Sequence, residues 1–402
     1  MALNLVTAVA VLLAWTGGTS AESFQLAERI DKDNFFDKFT FSTIKDPNHG
    51  FVNYVSVGKA RKNDMVKIQD NGDIYLGVDN TTTLDHEREP GRDSFRVQSK
   101  AVYKHGLFVA RFTHMPAPVC GSWPAFWTFG SGTWPEAGEI DIYEGWNLNT
   151  YNKPTLHAGR AAEIGQCTLN GTKQGAKVLA EDCDNFGATH DRNQGCQTEE
   201  TEETENSIWG SPEGGTQALF WTSEEIKIYT WPHGKEPDNV HDDEIDTDAW
   251  SATTPSLHLK TCDIDRAFQP QTIVLDVDFC GIPAGTTFWT KPDHKGESTC
   301  YDTTKVPTCD KYVAENPEAF NEVYFQFKDI RHFRVKREAQ SSTPVTSATT
   351  SSLAKSLASR SGNEFKEYSL ELNYLFTGHR VFPPASRQGR LLDSFCQPSG
   401  GK

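Results

Sequence analysis

The sequence GEIDIYEGWN, residues 138–147, places three carboxylates within six residues of a segment that otherwise reads as a β-strand. The acids are Glu139, Asp141 and Glu144, and two isoleucines alternate with them. Strands disfavour acidic residues, and like charges crowded on one strand repel one another. The isoleucines require a buried opposite face, so a freely solvated acidic strand is a poor explanation. The segment therefore predicts a half-buried strand whose acids serve a chemical purpose.

The spacing of the acids requires an irregular strand if all three serve one site. In a flat strand Glu139, Asp141 and Tyr143 share one face, whereas Glu144 points to the other face. A β-bulge absorbs one extra residue and would return Glu144 to the face of Glu139 and Asp141. Because bulges are frequent beside active sites, we predict one within this strand.

Short alternating or apolar segments, broken by Gly, Pro, Asn and Asp, extend on both sides of this strand from Phe24 to about Val335. The clearest candidate strands are Phe51–Val57, Asp73–Val78, Ser94–Ser99, Leu107–Met115, Ala218–Thr222, Glu225–Trp231, Thr272–Phe279 and Val323–Val335. Period-2 patterns dominate, and no long amphipathic helix is evident. Many antiparallel-looking strands joined by long loops predict an all-β sandwich.

The pattern E-x-D-x-x-E follows a Trp-Pro pair and resembles glycoside hydrolase family 16 in its bulged-strand form. Flanking segments resemble, in the same order, those of the fungal mixed-linkage β-glucanases of this family. These segments are Arg92–Trp127, LHAG (Leu156–Gly159), Glu213–Trp231, Cys262–Phe268 and VDFCG (Val277–Gly281). The resemblance covers about Phe24 to Val335 and does not extend into the tail.

This resemblance implies a concanavalin A-like β-jelly roll, in which one of two stacked sheets is concave and lines a sugar cleft. It also implies catalytic roles. Glu139 matches the nucleophile, Glu144 matches the general acid that later acts as a base, and Asp141 matches the residue between them. We therefore expect a retaining endo-β-glucanase that hydrolyses β-1,3 or mixed β-1,3/1,4 glucan, which needs the two glutamates ~5 Å apart.

Three other functions stay open at this point. A cell-wall β-glucan transglycosylase of the same fold differs only in whether a sugar or water meets the intermediate, and no residue decides between them. A non-catalytic glucan-binding lectin could share the fold, but a neutral sugar gives no reason to crowd Glu139 and Glu144. A cell-wall structural protein has support only from the Ser/Thr-rich tail.

Aromatic side chains near the acids are candidates for glucose stacking. Trp123 and Trp127 share one face of the segment before the acidic strand, and a hairpin-like return would set Trp127 beside the carboxylates. Trp134 and Trp146 flank the site more loosely. The alternative for these tryptophans is a place in the core. His157 matches a family histidine close to the leaving sugar, although a lone histidine is more often structural.

Compartment signals point outside the cell. The apolar run Leu5–Trp15, followed by small residues, predicts a signal peptide over residues 1–21. Of nine cysteines, eight lie between Cys120 and Cys309 and Cys396 lies far away, and their pairing is left open. Asn80 and Asn170 begin N-glycosylation sequons. We expect a secreted or cell-wall protein without a membrane anchor.

The catalytic domain is predicted over residues 22–336, and residues 337–402 form a Ser/Thr-rich tail that is predicted to be disordered. The net charge of −16 argues against nucleic-acid and anionic-membrane partners, whereas a neutral glucan is unaffected by it. We expect a monomer without cofactor or metal. The acidic stretch His241–Asp248 lacks the features of a calcium loop, but a structural calcium ion elsewhere stays open.

Overall fold

The structure, a computed structural model, describes residues 23–201, 207–293 and 298–336. The predicted signal peptide, the predicted Ser/Thr-rich tail and Cys396 lie outside the described residues. In chain order the strands are β1 (Ser23–Asp31), β2 (Phe39–Phe41), β3 (Val52–Tyr54), β4 (Val66–Ile68), β5 (Ile74–Gly77), β6 (Arg92–Ser94), β7 (Arg96–Ser99), β8 (Gly106–His114), β9 (Ser122–Gly130), β10 (Glu139–Glu144), β11 (Thr155–His157), β12 (Lys177–Ala180), β13 (Cys196–Glu199), β14 (Gly215–Trp221), β15 (Ile226–Trp231), β16 (Glu244–Asp246), β17 (Leu257–Leu259), β18 (Gln271–Phe279) and β19 (Tyr324–Val335).

The helices in the described part of the chain are short. The α-helices are α1 (Phe35–Lys38), α2 (Val57–Lys62), α3 (Ala161–Ile164), α4 (Ile264–Ala267), α5 (Thr287–Thr290), α6 (Cys300–Thr304) and α7 (Cys309–Glu315). Within the described residues, 3-10 helices cover Asp238–His241, Thr247–Trp250 and Pro317–Phe320. The longest α-helix has seven residues, which confirms for these residues that no long amphipathic helix is present. No described helix is long and apolar enough to cross a membrane.

Two large sheets form the sandwich, and a two-stranded parallel pair of β3 and β6 accompanies them. The described strands of the eight-stranded sheet follow the order β12-β13-β11-β10-β9-β18-β7-β2. The nine-stranded sheet follows the order β16-β1-β19-β8-β14-β15-β17, and β5, which pairs with β4, joins it at β19. All pairings within the two large sheets are antiparallel, as an all-β sandwich predicts.

Side chains from both sheets fill the space between them. Phe112 of the nine-stranded sheet meets Phe126 of the eight-stranded sheet with ring centroids 5.5 Å apart. Tyr143 and Phe325 make a similar contact at 5.8 Å. Each fully buried ring of this kind removes on the order of 150–250 Å² from water, so this interior supplies most of the stabilising burial. The acidic strand β10 lies near the middle of its sheet, between β9 and β11.

A second core covers the outer face of the nine-stranded sheet. Alternate residues of β8, β14 and β15 point outward there, and the segment from the first 3-10 helix to Trp250 packs over them. Trp231 and Trp250 meet edge to face at 5.1 Å, and Ile245 is fully buried beside them. Strands β8 and β14 are therefore buried on both faces. The period-2 pattern predicted their strands but not this extra layer.

Each of the eight predicted strand segments overlaps a strand of the structure, and β10 forms where the acidic stretch predicted it. The strands that sequence reasoning missed are mostly of three or four residues. β1 is the long exception, because its sequence SFQLAERID carries Ala, Glu and Arg, which are good helix formers. It forms a strand because β16 and β19 pair with it on its two edges.

The eight described cysteines form four disulfides. The pairs are Cys120–Cys300, Cys167–Cys262, Cys183–Cys196 and Cys280–Cys309. The structure thus gives the pairing of these eight cysteines, which the sequence left open. Four disulfides are consistent with an oxidising, extracellular environment.

Candidate active site

A β-bulge sets the direction of the acids on β10. Asp141 pairs with Trp127 of β9, but Tyr143 pairs with Phe126, so one extra residue is absorbed between Asp141 and Tyr143. Ile142 and Tyr143 both turn inward and are buried. The predicted bulge is confirmed. The face assigned to Tyr143 in a flat strand is wrong, because the bulge turns its ring inward to stack on Trp209 at 4.7 Å.

We call the face of the eight-stranded sheet that carries Glu139, Asp141 and Glu144 the site face. Glu139 lies at the start of β10, where the Trp134 indole N–H donates to Glu139 Oε2 at 3.0 Å. His157 Nε2 lies 3.7 Å from Glu139 Oε1. Burial, helped by the negative charge of Asp141, raises the pKa of Glu139 to about 8, although His157 opposes the rise. The carboxyl therefore holds its proton more tightly than an exposed glutamate.

Glu144 ends β10 and faces a different set of partners. The Trp123 indole N–H donates to Glu144 Oε1 at 3.0 Å. Burial and then the charge of Asp141 raise the pKa of Glu144 to about 8, while His157, Trp123 and Lys153 act in the other direction. A raised pKa keeps a carboxyl protonated to a higher pH than an exposed glutamate, which suits a general acid, but the pKa of Glu139 is raised equally and the two roles are separated by position rather than by pKa.

Asp141 lies between the glutamates and contacts His157. Only 3% of the Asp141 surface is exposed, and its Oδ2 lies 3.2 Å from His157 Nε2. Burial, followed by the charge of Asp276, raises the pKa of Asp141 well above its usual range. The Asn185 carbonyl oxygen lies 2.7 Å from His157 Nδ1. Because an amide oxygen can only accept, Nδ1 carries a proton and Nε2 faces the carboxyl groups.

Glu139, Asp141 and His157 also form a group that could hold a metal ion. Their candidate ligand atoms lie within 4.8 Å of one another. Trp134 and Asn185 give Glu139 and His157 hydrogen-bond partners, whereas the buried Asp141 Oδ2 has only its 3.2 Å contact with His157 Nε2. The expectation that the protein needs no metal or cofactor stays a prediction, as does the open question of a structural calcium ion.

Trp127 lies farther along the site face, beside an ion pair that sequence reasoning missed. Its indole N–H donates to Asp276 Oδ1 at 3.1 Å, and Arg96 donates to Asp276 Oδ2 at 2.7 Å. The Arg96 guanidinium also lies 4.8 Å from the centre of the Trp127 ring. A signal for Asp276 was present in the sequence, since Asp276 and Asp278 alternate with apolar residues in VLDVDF just as the acids do on β10.

The remaining predicted aromatic residues lie on both sides of the acids. Trp134 is 44% exposed, and its ring lies 5.8 Å from that of His157. Trp146 stacks on Phe288 at 5.5 Å and meets Trp123 edge to face at 5.3 Å. Trp123, Trp127 and Trp146 are partly exposed rather than fully buried. The structure thus places all five predicted binding residues around the acids, and their contacts with a sugar stay a prediction.

The two sequons differ in accessibility. Asn170 is exposed in a turn, whereas Asn80 is half-buried and its amide donates to Asn321 Oδ1 at 2.9 Å. A glycan on Asn80 would replace one of the two hydrogens of this nitrogen and leave the other for the contact. Glycosylation at both positions stays a prediction.

The chain belongs to glycoside hydrolase family 16. The model of the XgeA-like catalytic GH16 domain matches residues 39–333, so the family resemblance seen in the sequence is confirmed. The chain is 34% identical over 364 residues to a probable endo-1,3(4)-β-glucanase of Neosartorya fischeri. That alignment covers 89% of this chain and 52% of the relative, so this chain spans about half the length of that fungal protein.

Two solved structures share the architecture. An elongating family 16 β-1,3-glucosyltransferase has a TM-score of 0.65 and 33% identity, and the match covers 77% of this chain and 100% of that one. Laminarinase 16A from Phanerochaete chrysosporium, with two 6-O-glucosyl-laminaritriose molecules in donor and acceptor sites, has a TM-score of 0.66 and 29% identity. That match covers 78% of this chain and 100% of that one. The predicted all-β jelly-roll sandwich is confirmed.

Proposed function

We propose that this chain is a secreted endo-β-glucanase that hydrolyses internal β-1,3 or mixed β-1,3/1,4 glucan linkages with retention. The observation that carries the proposal is the bulge in β10, which brings Glu139 and Glu144 to one face with Asp141 between them. A neutral ligand gives no reason to bury three acids together, whereas retaining glycosidases need two carboxyl groups on one site. The names of the fungal relative and the laminarinase support glucan as the substrate.

The two glutamates take different parts in the reaction. Glu139, with the Trp134 N–H and His157 to stabilise its ionised form, attacks the anomeric carbon. Glu144 gives its proton to the glycosidic oxygen as the bond to the leaving sugar breaks. Glu144, now ionised, then takes a proton from water, and the hydroxide oxygen displaces Glu139 from the anomeric carbon. Overall, one water molecule is consumed for each glycosidic bond that is cleaved.

Asp141 and His157 adjust the proton balance of the pair. The two glutamates titrate as an interacting pair, because each negative charge disfavours ionisation of the other. The contact between Asp141 and His157 lets one proton be shared at 3.2 Å, so the charge at the centre of the site can stay low while Glu139 ionises. With that proton shared, the charge of Asp141 no longer raises the pKa of Glu139, so Asp141 is proposed to let Glu139 ionise while Glu144 keeps its proton at the start of each cycle.

Transglycosylation is the second candidate, and one observation favours it. The similar structure at 33% identity is an elongating β-1,3-glucosyltransferase. Its chemistry would share the first step and differ only in the acceptor, with a sugar hydroxyl in place of water. The proposed binding residues on either side of the acids, such as Trp134 near Glu139 and Trp146 near Trp123, fit sugar units on both sides of the cleaved bond.

The test combines a substrate panel with product analysis. The full-length protein is incubated with laminarin, lichenan, xyloglucan and agarose, and reducing ends are measured. We expect release from laminarin or lichenan and none from agarose. Proton NMR of the first product should show the β-anomer before mutarotation. An α-anomer would mean inversion, with carboxyl groups ~6.5–9.5 Å apart, and would overturn the roles of both glutamates. Products longer than the substrate would favour the transglycosylase.

A further inference from the structure

The bulge leaves backbone groups of β10 that its neighbouring strands cannot bond. An absorbed residue is unpaired in the ladder, and buried backbone groups without partners cost on the order of 1–3 kcal/mol. One side chain serves both sides of this bulge. The Asn152 amide N–H donates to Ile142 O at 3.0 Å, and the Asn152 carbonyl oxygen accepts from the Glu144 N–H at 2.9 Å.

Asn152 is itself fixed from behind. It is fully buried, and its amide nitrogen lies 3.4 Å from Glu200 Oε1. The Glu200 N–H donates to the Asn152 backbone oxygen at 3.0 Å, so side chain and backbone of these two residues are linked. Gln217, from the nine-stranded sheet, donates to Ile142 O at 3.4 Å. The bulge is therefore held across the interior of the sandwich.

Glu200 is a buried carboxyl without a part in the proposed reaction. Its exposed fraction is 0%, and Ser256 Oγ donates to its Oε1 at 2.9 Å. Burial raises the pKa of Glu200 to about 7, although hydroxyl and amide donors oppose the rise. Burying a carboxyl is costly, and an apolar residue would fill a core at lower cost. The contact of Glu200 with Asn152 explains why a carboxyl group occupies this position.

We propose that Asn152 is a positioning residue for the general acid, and that Glu200 anchors it. The proposal rests on the glucanase function proposed above. Asn152 bonds the backbone of Glu144 itself and of Ile142, which precedes it by two residues. Glu144 pairs with a strand on one side only, with Ala125 of β9, whereas Glu139 is paired on both sides, with Phe129 of β9 and His157 of β11. Loosening Asn152 should therefore displace the acid and leave the nucleophile in place.

The expected signature is a dependence on the leaving group. A misplacement of about 1 Å can cost about 10²-fold in rate. Protonation by Glu144 matters for a sugar leaving group but little for an activated one such as 2,4-dinitrophenolate. A loss of folded protein would lower the two activities equally. The ratio of kcat/KM on laminarin to kcat/KM on a 2,4-dinitrophenyl β-glucoside oligosaccharide reports the first step, before Glu144 acts as base, and therefore separates positioning from stability.

The first variant is Asn152→Asp, and Asn147→Asp is its matched control. Asn147 is also a buried asparagine that joins two backbone groups, since it accepts from Gly121 N–H at 2.8 Å and donates to Ala284 O at 2.9 Å. Both changes keep an accepting oxygen and replace the donating nitrogen. We expect Asn152→Asp to lower the laminarin-to-aryl ratio by about 10²-fold and Asn147→Asp to leave it unchanged. KM for laminarin should stay within about twofold in both, because neither residue is assigned to sugar binding.

Glu200 supplies a second test if Asn152→Asp does not fold. Glu200→Ala removes the anchor, whereas Glu200→Gln keeps the shape and an accepting oxygen. We expect Glu200→Ala to lower the same ratio and Glu200→Gln to restore most of it. Equal loss on both substrates in all variants would overturn the positioning role, with the glucanase function intact. A wild-type protein that cleaves neither substrate would instead overturn the proposed function, and this inference with it.

Discussion

Each of the two large sheets packs one face against the common core. The opposite face is the site face in the eight-stranded sheet and the outer face in the nine-stranded sheet. The outer face is closed by apolar side chains, including Ile245 and Trp250, and its own rings are buried. The site face instead holds Glu139, Glu144 and Asp276, and aromatic rings remain partly open beside them. A buried face stabilises the fold through apolar burial. A partly open face with buried carboxyl groups lowers the free energy of unfolding, but it supplies the groups that a reaction needs.

The largest expected difference between the two faces comes from replacing the acids of the site face. Glu139→Ala and Glu144→Ala should each lower turnover on laminarin by several orders of magnitude, whereas Glu224→Ala, an exposed acid of the nine-stranded sheet's β14–β15 turn, should change nothing. Azide should rescue the two variants differently on activated aryl glucosides. Glu139→Ala should give the α-glycosyl azide and Glu144→Ala the β-glycosyl azide, as read by NMR.

The outcome that contradicts this prediction is equally specific. If Glu144→Ala failed to release even a first equivalent of the aryl leaving group from activated substrates, Glu144 would not be the acid. If azide gave the same anomer with both variants, the two roles could not be assigned to different residues.

The second prediction replaces one tryptophan of each face by alanine. Trp250→Ala opens a cavity in the second core, where the ring is 1% exposed, and should lower the free energy of unfolding by about 3–5 kcal/mol. Trp127→Ala removes a partly exposed ring, so its thermal midpoint should move by only a few degrees. Its effect should fall on kcat/KM for laminarin, by about 1–3 kcal/mol if the ring stacks on sugar as rings stack on bases. Calorimetry and polymer kinetics on both variants check this contrast.

A reversed result would be informative. A large stability loss in Trp127→Ala, with unchanged KM, would mean that Trp127 serves the core through Asp276 and Arg96 rather than the substrate.

The third prediction concerns pH. Glu139 has its pKa raised from 4.5 to about 8, so the folded state binds more protons than the unfolded state between these values. Stability from this group is complete below pH 4.5 and is lost as the pH rises through about 8. Glu139→Gln should therefore gain stability relative to the wild type across that window. The gain should be about 2 kcal/mol at most, because the side chain stays 13% exposed and the pair is coupled.

Glu225, beside β15 of the other sheet, gives the control with the opposite sign. Burial tends to raise its pKa, but hydrogen bonds from His258 and Lys227 outweigh that tendency and lower the pKa to about 2. Its stabilising contribution is present above the ordinary value of 4.5 and is lost as the pH falls towards 2. Glu225→Gln should thus be less stable than the wild type above that value. Urea unfolding at several pH values measures both variants, and parallel curves would contradict the assignment for Glu139.

The comparison also explains what could be predicted from the sequence. The longer strands other than β1, and the bulge in β10, could be predicted from the local pattern, because a side chain's face depends on its neighbours along the chain. Asn152 and Glu200 could not be found that way, since their meeting depends on a contact between residues 48 positions apart. The same holds for Arg96 and Asp276, which meet across paired strands. Trp250 follows the acidic stretch His241–Asp248 in the sequence, and only the fold places it over Trp231.

The smallest effect is expected from removal of the tail. The family match ends at residue 333, and β19 ends at Val335 after pairing with β1 and β8. The Lys336 N–H still donates to the Ser23 backbone oxygen at 2.7 Å, so a chain that ends at Lys336 keeps this last bond. The Ser/Thr-rich segment beyond it has too little apolar content to add a core. We expect the shortened chain to match the full chain in kcat/KM on laminarin and in thermal midpoint.

A shortened chain that is insoluble or inactive, beside an active full chain, would place the domain boundary beyond Lys336. A chain shortened further, to end at residue 328, is the matched control and should not fold, because it loses the half of β19 that pairs with β1.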